Sequence, residues 1–207
     1  MQSEEKQTSV KTKFTVREIA TIPIFAALTA VLAQIAIPLP FSPVPISFGL
    51  VAVYITGILL KPSNALWAQI CYLALGAIGI PVFHNFLGGV GVLFGPTGGY
   101  LMVYPIIAWI VSMALNSKKA VSYENTENKK MVFLRAGVSI CVAHLLLYLA
   151  GTIWLSIYTG TSFTASLALA VIPFIPLDIV KILFCVIAVV PFRFRLIKLN
   201  LLQLNNQ

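Results

Sequence analysis

Two ionisable side chains stand where hydrocarbon would be expected. Asp178 and Lys181 lie three residues apart in the segment PLDIVK, inside an apolar run from about Leu167 to Val190. Charged groups within such a run are costly, so their presence points to a binding or ion-handling site. The i,i+3 spacing puts both on one helix face. The alternative is a structural ion pair that holds helices together. A pair satisfying only itself would leave spare donors and acceptors in hydrocarbon, which is unfavourable unless something else bonds them.

A Gly-rich stretch, HNFLGGVGVLFGPTGG from His84 to Gly99, is the second candidate. It lacks the Lys-Ser/Thr of a phosphate-binding loop, so the chain does not itself hydrolyse ATP. Glycines such as Gly89 and Gly98 let backbone fold closely over a small ligand and offer its N–H groups. With Phe83, Phe86, Leu87, Phe94 and Tyr100 alongside, the stretch reads as a lid over an outward pocket, the alternative being an ordinary exposed loop. Third, Ala26 and Ala30 are four apart in the first apolar run. That spacing lets another helix approach closely, either within the bundle or from a partner.

The remaining reactive types are sparse. His84 and His144 are isolated and read as hydrogen-bonded core or interface residues, while Tyr148 and Trp154 are candidates to line a cavity. No nucleophile stands beside a base and no carboxylates pair, so an intramembrane hydrolase, or any enzyme, has nothing to run on. Cys71, Cys141 and Cys185 sit in apolar runs and read as small buried hydrophobes, and no metal-ligand spacing occurs.

The elements that must position these residues follow from composition. Of 207 residues, 59% are hydrophobic and 10% charged, against about 45–50% and about 25% in soluble domains. Six spans of about 20 residues need about 120, close to the whole apolar content of this chain. A soluble domain, a disordered chain and a disulfide-stapled module are excluded, and little polar surface is left for an extramembrane catalytic domain. Six apolar segments can be marked: about 19–37, ended by the prolines of PLPFSPVP, then 46–60, 65–80, 100–115, 132–157 and 167–190. The second and third are short for straight spans. The first is too long for a signal-peptide core and reads as a retained helix. The expectation is an all-α integral membrane protein with a head at residues 1–18, a six-helix membrane domain at 19–192 and a tail at 193–207.

Charge placement sets the expected topology. Lys6, Lys11, Lys13 and Arg17 lie in the head, and Lys61 follows the second segment. Lys118, Lys119, Lys129, Lys130 and Arg135 surround the loop after the fourth, and Arg193, Arg195 and Lys198 lie in the tail. The connections at 38–45, 81–98 and 158–164 carry no Lys or Arg. By the positive-inside rule both termini are cytoplasmic, and the net charge of +8 is topological rather than a nucleic-acid signal. Five acids, Glu4, Glu5, Glu18, Glu124 and Glu127, share that side. Counting back from Arg193 at about 1.5 Å per residue puts Lys181 roughly 18 Å and Asp178 roughly 22 Å from the cytoplasmic end. Both then fall in the outer half of a core about 30 Å thick.

PLPFSPVPIS, YLALGAIGIPVF, GGVGVLFGPTGGYL and PLDIVK occur in that order, and the chain resembles the BioY family from its first span to its last. These are the membrane-embedded substrate-binding (S) components of energy-coupling factor (ECF) transporters for biotin. One departure is visible: Ser47-Phe48-Gly49 follows PVPI where the family usually shows Thr-Leu-Gln, so no glutamine acts there. The resemblance implies a six-helix S-component bundle in the bacterial cytoplasmic membrane with an outward pocket for biotin and no cofactor of its own. ATP is then hydrolysed by two partner ATPases joined through a transmembrane coupling protein, with Ala26 and Ala30 resembling the docking face. It further implies that Asp178, Lys181 and a loop asparagine, here Asn85, contact biotin. A stand-alone facilitator working without ATPases is the rival reading.

Overall fold

The computed structural model describes residues 16–116 and 126–199. Lys6, Lys11, Lys13, Lys118, Lys119, Glu4, Glu5 and Glu124 lie outside the described residues, as do most of the head and the end of the tail. The fold is helical. After α1 (Val16–Gln34) come a two-stranded hairpin, β1 (Ala36–Leu39) and β2 (Ser42–Ser47), then α2 (Gly49–Leu59) and α3 (Pro62–Ala77). The Gly-rich stretch carries a 3₁₀ turn (His84–Phe86) and the short α4 (Val90–Leu93), and leads into α5 (Gly98–Met102) and α6 (Tyr104–Leu115). The last third is α7 (Thr126–Thr159), α8 (Phe163–Ala170), α9 (Ile175–Phe184) and α10 (Val190–Lys198), with a π turn at Cys185–Val189 between the last two.

Three helical stretches, Gly98–Leu115, Lys129–Thr159 and Phe163–Lys198, are long and apolar enough to cross a bilayer. α7 shows why. Leu134, Val138, Val142, Leu145, Leu149, Ile153 and Ile157 recur every three or four residues and are all exposed. At about 1.5 Å per residue this stripe runs roughly 35 Å, enough for a hydrocarbon core of about 30 Å. The opposite face buries Ala136, Ile140, Ala143, Leu147 and Leu155. By contrast α2, with 11 residues, extends only about 16 Å.

The prolines of the first connection do more than stop a helix. Pro38, Pro43 and Pro45 fall within the hairpin strands, which pair antiparallel with Ala36 opposite Ser47 and an irregularity between Ile37 and Leu39. A two-stranded ribbon is all edge, so a residue without an N–H is tolerated wherever that N–H would point away from the partner. Reading these prolines only as helix breakers misses the hairpin.

Buried polar side chains join the helices. Gln69 on α3 donates to Thr29 of α1 at 3.0 Å and to Thr56 of α2 at 3.1 Å. Arg193 is the first residue of the expected tail. Its side chain is fully buried in a helix that continues to Lys198. It donates to the carbonyls of Ile58 and Leu115 and to Asn116 Oδ1. The C-terminal ends of α2 and α6 carry orphan carbonyls and partial negative charge, which a guanidinium satisfies. The cysteines are free; Cys185 is buried, Cys71 half-buried and Cys141 exposed, so the expectation of three buried ones fails at Cys141.

Candidate binding cavity

α9 is bounded by a 3₁₀ turn at Ile172–Phe174 on one side and the π turn on the other. Its inward face carries Asp178 and Lys181, the two residues of this helix that are buried. Lys181 Nζ donates to Asp178 Oδ1 at 2.9 Å, and the ring of Phe48 lies 5.9 Å from the same ammonium, within cation–π reach. The other carboxylate oxygen is met from α7. Tyr148 Oη donates to Asp178 Oδ2 at 2.7 Å. His144, one turn earlier on the same face, places Nε2 3.3 Å from that oxygen. Behind it, Tyr54 Oη of α2 lies 2.6 Å from His144 Nδ1.

Asp178, Lys181 and Tyr148 face a cavity of about 70 Å³. Its other walls are mainly apolar or aromatic: Val44 and Pro45 of β2, Leu50, Tyr100, Tyr104 and Phe174. A second chamber of about 40 Å³ shares Val44, Pro45, Ser47, Tyr100 and Tyr104 with the first and reaches His84 and Thr97. These last two, 3.5 Å apart at Nε2 and Oγ1, also border a third cavity of about 270 Å³. That one is lined by the Gly-rich stretch and bordered by Pro43 and Tyr158. Three spaces thus run in series from the loops to the charged pair, and His84 with Thr97 form the partition.

The hairpin and the Gly-rich stretch supply the walls that do not come from long helices. Gln34 fastens the stretch to the end of α1, donating to Val82 O at 3.1 Å and accepting from Phe86 N–H at 2.8 Å. Trp154 of α7 donates to Gly95 O at 2.8 Å, so its indole anchors this wall instead of lining a chamber. Burial in that wall lowers the His84 imidazole below its ordinary range, because the charged form is the one penalised.

Of the residues expected to bind ligand, the structure brings Asp178, Lys181 and Tyr148 together. Asn85, Gly89 and Gly98 are placed otherwise. Asn85 is exposed on the loop and holds φ 56, a left-handed conformation that asparagine tolerates better than most residues. The Gly89 N–H is taken by Gly76 O at 2.7 Å and the Gly98 N–H by Gly95 O at 3.0 Å, so neither offers a donor to a chamber. Gly89 has φ 96 and serves the turn, while a Cβ on Gly98 would fall 1.8 Å from Leu93 O. Of the two residues expected to form a docking face, Ala26 is fully buried within the bundle and Ala30 is half-buried.

Tyr54 and His144 were not expected at the site. The pairing of His144 with Tyr148 on one face follows from their four-residue spacing, but nothing local joins either to Asp178.

A profile of the BioY family matches residues 5–198. Biotin transporter BioY2 of Lactococcus lactis subsp. cremoris is 35% identical over 160 residues, covering 77% of this chain and 81% of that protein. A probable biotin transporter BioY of Pyrococcus horikoshii is 34% identical over 165 residues, covering 80% and 89%. Among solved structures, the S-component for biotin from an ECF-type ABC transporter superposes with a TM-score of 0.72 at 26% identity, covering 86% of this chain and 92% of that one.

Proposed function

The chain belongs to the BioY family, and from that premise we propose that it captures biotin as the substrate-binding component of an ECF-type importer in the cytoplasmic membrane. The observation that carries the ligand reading is a buried carboxylate and ammonium, 2.9 Å apart, on the wall of a mainly apolar cavity. Biotin presents a ureido group with two N–H donors and one carbonyl acceptor beside an apolar thioether ring. Asp178 accepts a ureido N–H, Lys181 donates one of its remaining N–H groups to the carbonyl, and Leu50, Tyr100, Tyr104 and Phe174 take the ring. Apolar walls with a few convergent polar groups are the usual make-up of small-molecule sites.

Such sites enclose about 300–1,000 Å³, whereas the inner chambers hold about 70 and about 40 Å³. Ligand entry therefore requires the walls to part, and the hairpin and the Gly-rich stretch are the elements placed to do so.

The reading extends to topology and partners. Six crossings with both termini cytoplasmic agree with the Lys and Arg placement, and cysteine labelling from either side of intact cells tests it. The family and fold are those of a transporter component, not of an enzyme class. Uptake is driven by a transmembrane coupling protein and two ABC ATPases, while this chain binds without turnover. If α1 docks, a bulky residue at Ala30 blocks uptake with binding intact, whereas Ala26→Trp would first disturb the bundle.

The test of the ligand is tryptophan fluorescence of the purified chain. Biotin is expected to quench it saturably and thiamine and riboflavin to leave it unchanged. Equal responses to all three would overturn the ligand reading, and biotin uptake into liposomes containing this chain alone would overturn the need for partners.

A further inference from the structure

His144 is buried and does not border any of the three chambers described above. It meets the site through Asp178, 3.3 Å from Nε2, and through the ring of Tyr148, packed edge-on at 4.2 Å between centroids. A phenol is a donor as well as an acceptor, and at 2.6 Å from an imidazole nitrogen it satisfies itself best by donating to Nδ1. With Nδ1 accepting, the neutral ring carries its proton on Nε2, and Nε2 is the atom 3.3 Å from Asp178 Oδ2. Tyr54 thus selects the tautomer whose N–H edge lies beside the carboxylate.

An ionised carboxylate has about four acceptor positions. Tyr148 donates to one of those on Oδ2 and Lys181 to one on Oδ1. The second position on Oδ2 is faced by the His144 ring edge at 3.3 Å, close enough to exclude a ligand but without the alignment of a hydrogen bond. That leaves the oxygen shared with Lys181 for the ligand. We propose that His144, with Tyr54 behind it, is a positioning residue for ligand recognition: it covers Oδ2 so that Asp178 presents a single acceptor, beside an ammonium donor, to the cavity. This rests on the reading that Asp178 meets the ligand. The site is then built for a group with a hydrogen-bond donor adjacent to an acceptor, one ureido N–H and its carbonyl, rather than for two donors gripped by both carboxylate oxygens.

The test uses two isosteres with opposite failings. In His144→Gln the side-chain amide reaches the Nε2 position and keeps an N–H edge beside Asp178. In His144→Asn it reaches only the Nδ1 position, so Tyr54 keeps a partner and Oδ2 is uncovered. Biotin titration of the purified chain is expected to weaken about ten- to hundredfold in His144→Asn, the range for a ligand's hydrogen bond to a charged group, and to recover substantially in His144→Gln. Equal affinities in both variants and the wild type would overturn the proposal. So would equal losses in both, since that is what a packing role produces.

The tautomer is read separately from the ¹⁵N shifts of the two histidines, with His84→Gln assigning them. Protonated Nε2 in the wild type, and a loss of that bias in Tyr54→Phe, is expected; a wild-type ring protonated on Nδ1 overturns the proposal. Failure of the wild type to bind biotin would instead fell the ligand reading, while the shifts still decide the tautomer.

Discussion

Neutralising the buried pair one member at a time, and then both together, separates a ligand site from an ion pair that only holds helices. At 2.9 Å the attraction between Asp178 and Lys181 is about 6 kcal/mol for an effective dielectric constant of about 20. Most of that offsets the cost of taking both charges out of water, so the net worth of the pair is small. Removing one partner is another matter, since it leaves the survivor uncompensated and costs about 3–5 kcal/mol. Asp178→Asn and Lys181→Met should each lower the thermal midpoint of the purified protein markedly. The double variant Asp178→Asn, Lys181→Met should regain much of that stability, because no buried charge remains.

Binding should not follow stability. Each single variant removes a hydrogen bond from a charged group to the ligand, worth about 1.5–3 kcal/mol. The double variant removes both, so its Kd should rise by at least about a hundredfold. The assay is biotin titration beside thermal unfolding in one detergent. A double variant that recovers both stability and wild-type affinity would refute the reasoning, because the pair would then have been structural alone.

Arg193→Met should cost about 3 kcal/mol or more, since it strips a donor set from two helix ends whose acceptors stay buried; unfolding should come earlier while biotin affinity per folded molecule stays unchanged. Gly99→Ala would place a Cβ 2.2 Å from that of Trp154, and such overpacking costs about 1–3 kcal/mol, read as a lower thermal midpoint. His84 gives a pH dependence with a definite sign. Its imidazole is held below the ordinary range when the loop is packed, so the open or unfolded loop binds more protons and closure weakens as pH falls through about 6.5. Hydrogen-exchange protection factors across residues 82–97, which divide out the intrinsic slowing of exchange in acid, should fall on going from pH 7.5 to about 5.5, and His84→Gln should abolish the change.

The charged pair was legible because a carboxylate and an ammonium in an apolar run contradict their surroundings, and no tertiary knowledge is needed to see it. The cavity wall made by the Gly-rich stretch was legible in outline, since glycines and aromatics crowd one connection. Which glycines pack and which turn was not, because that depends on Trp154 of α7 and on how the stretch folds back to bring Leu93 O against Gly98. His144 reads from sequence as a hydrogen-bonded core histidine, and its Nδ1 is bonded as one; the groups that make it matter lie 90 residues away in Tyr54 and on another helix in Asp178. The hairpin escaped because proline's absent N–H reads as a stop signal until the edge it lies on is known. Arg193 kept its place in the charge pattern, but a count of cations cannot tell a solvated arginine from one that closes two helix ends.

The π turn at Cys185–Val189 joins two demands that a uniform helix would set against each other. On its one side α9 aims Asp178 and Lys181 into the bundle; on its other, α10 aims Arg193 at the ends of α2 and α6. Each residue of an α-helix advances the azimuth by about 100°, whereas a π turn, with its i→i+5 bonds, winds more slowly, so the five residues of this turn rotate the chain about as far as four would in a regular helix. The segment thus stores one residue more than a uniform helix needs between recognition and assembly. Deleting one residue there should be absorbed as regular α-helix with Arg193 still facing its carbonyls, whereas deleting one residue elsewhere between Lys181 and Arg193 would swing it about a quarter-turn off.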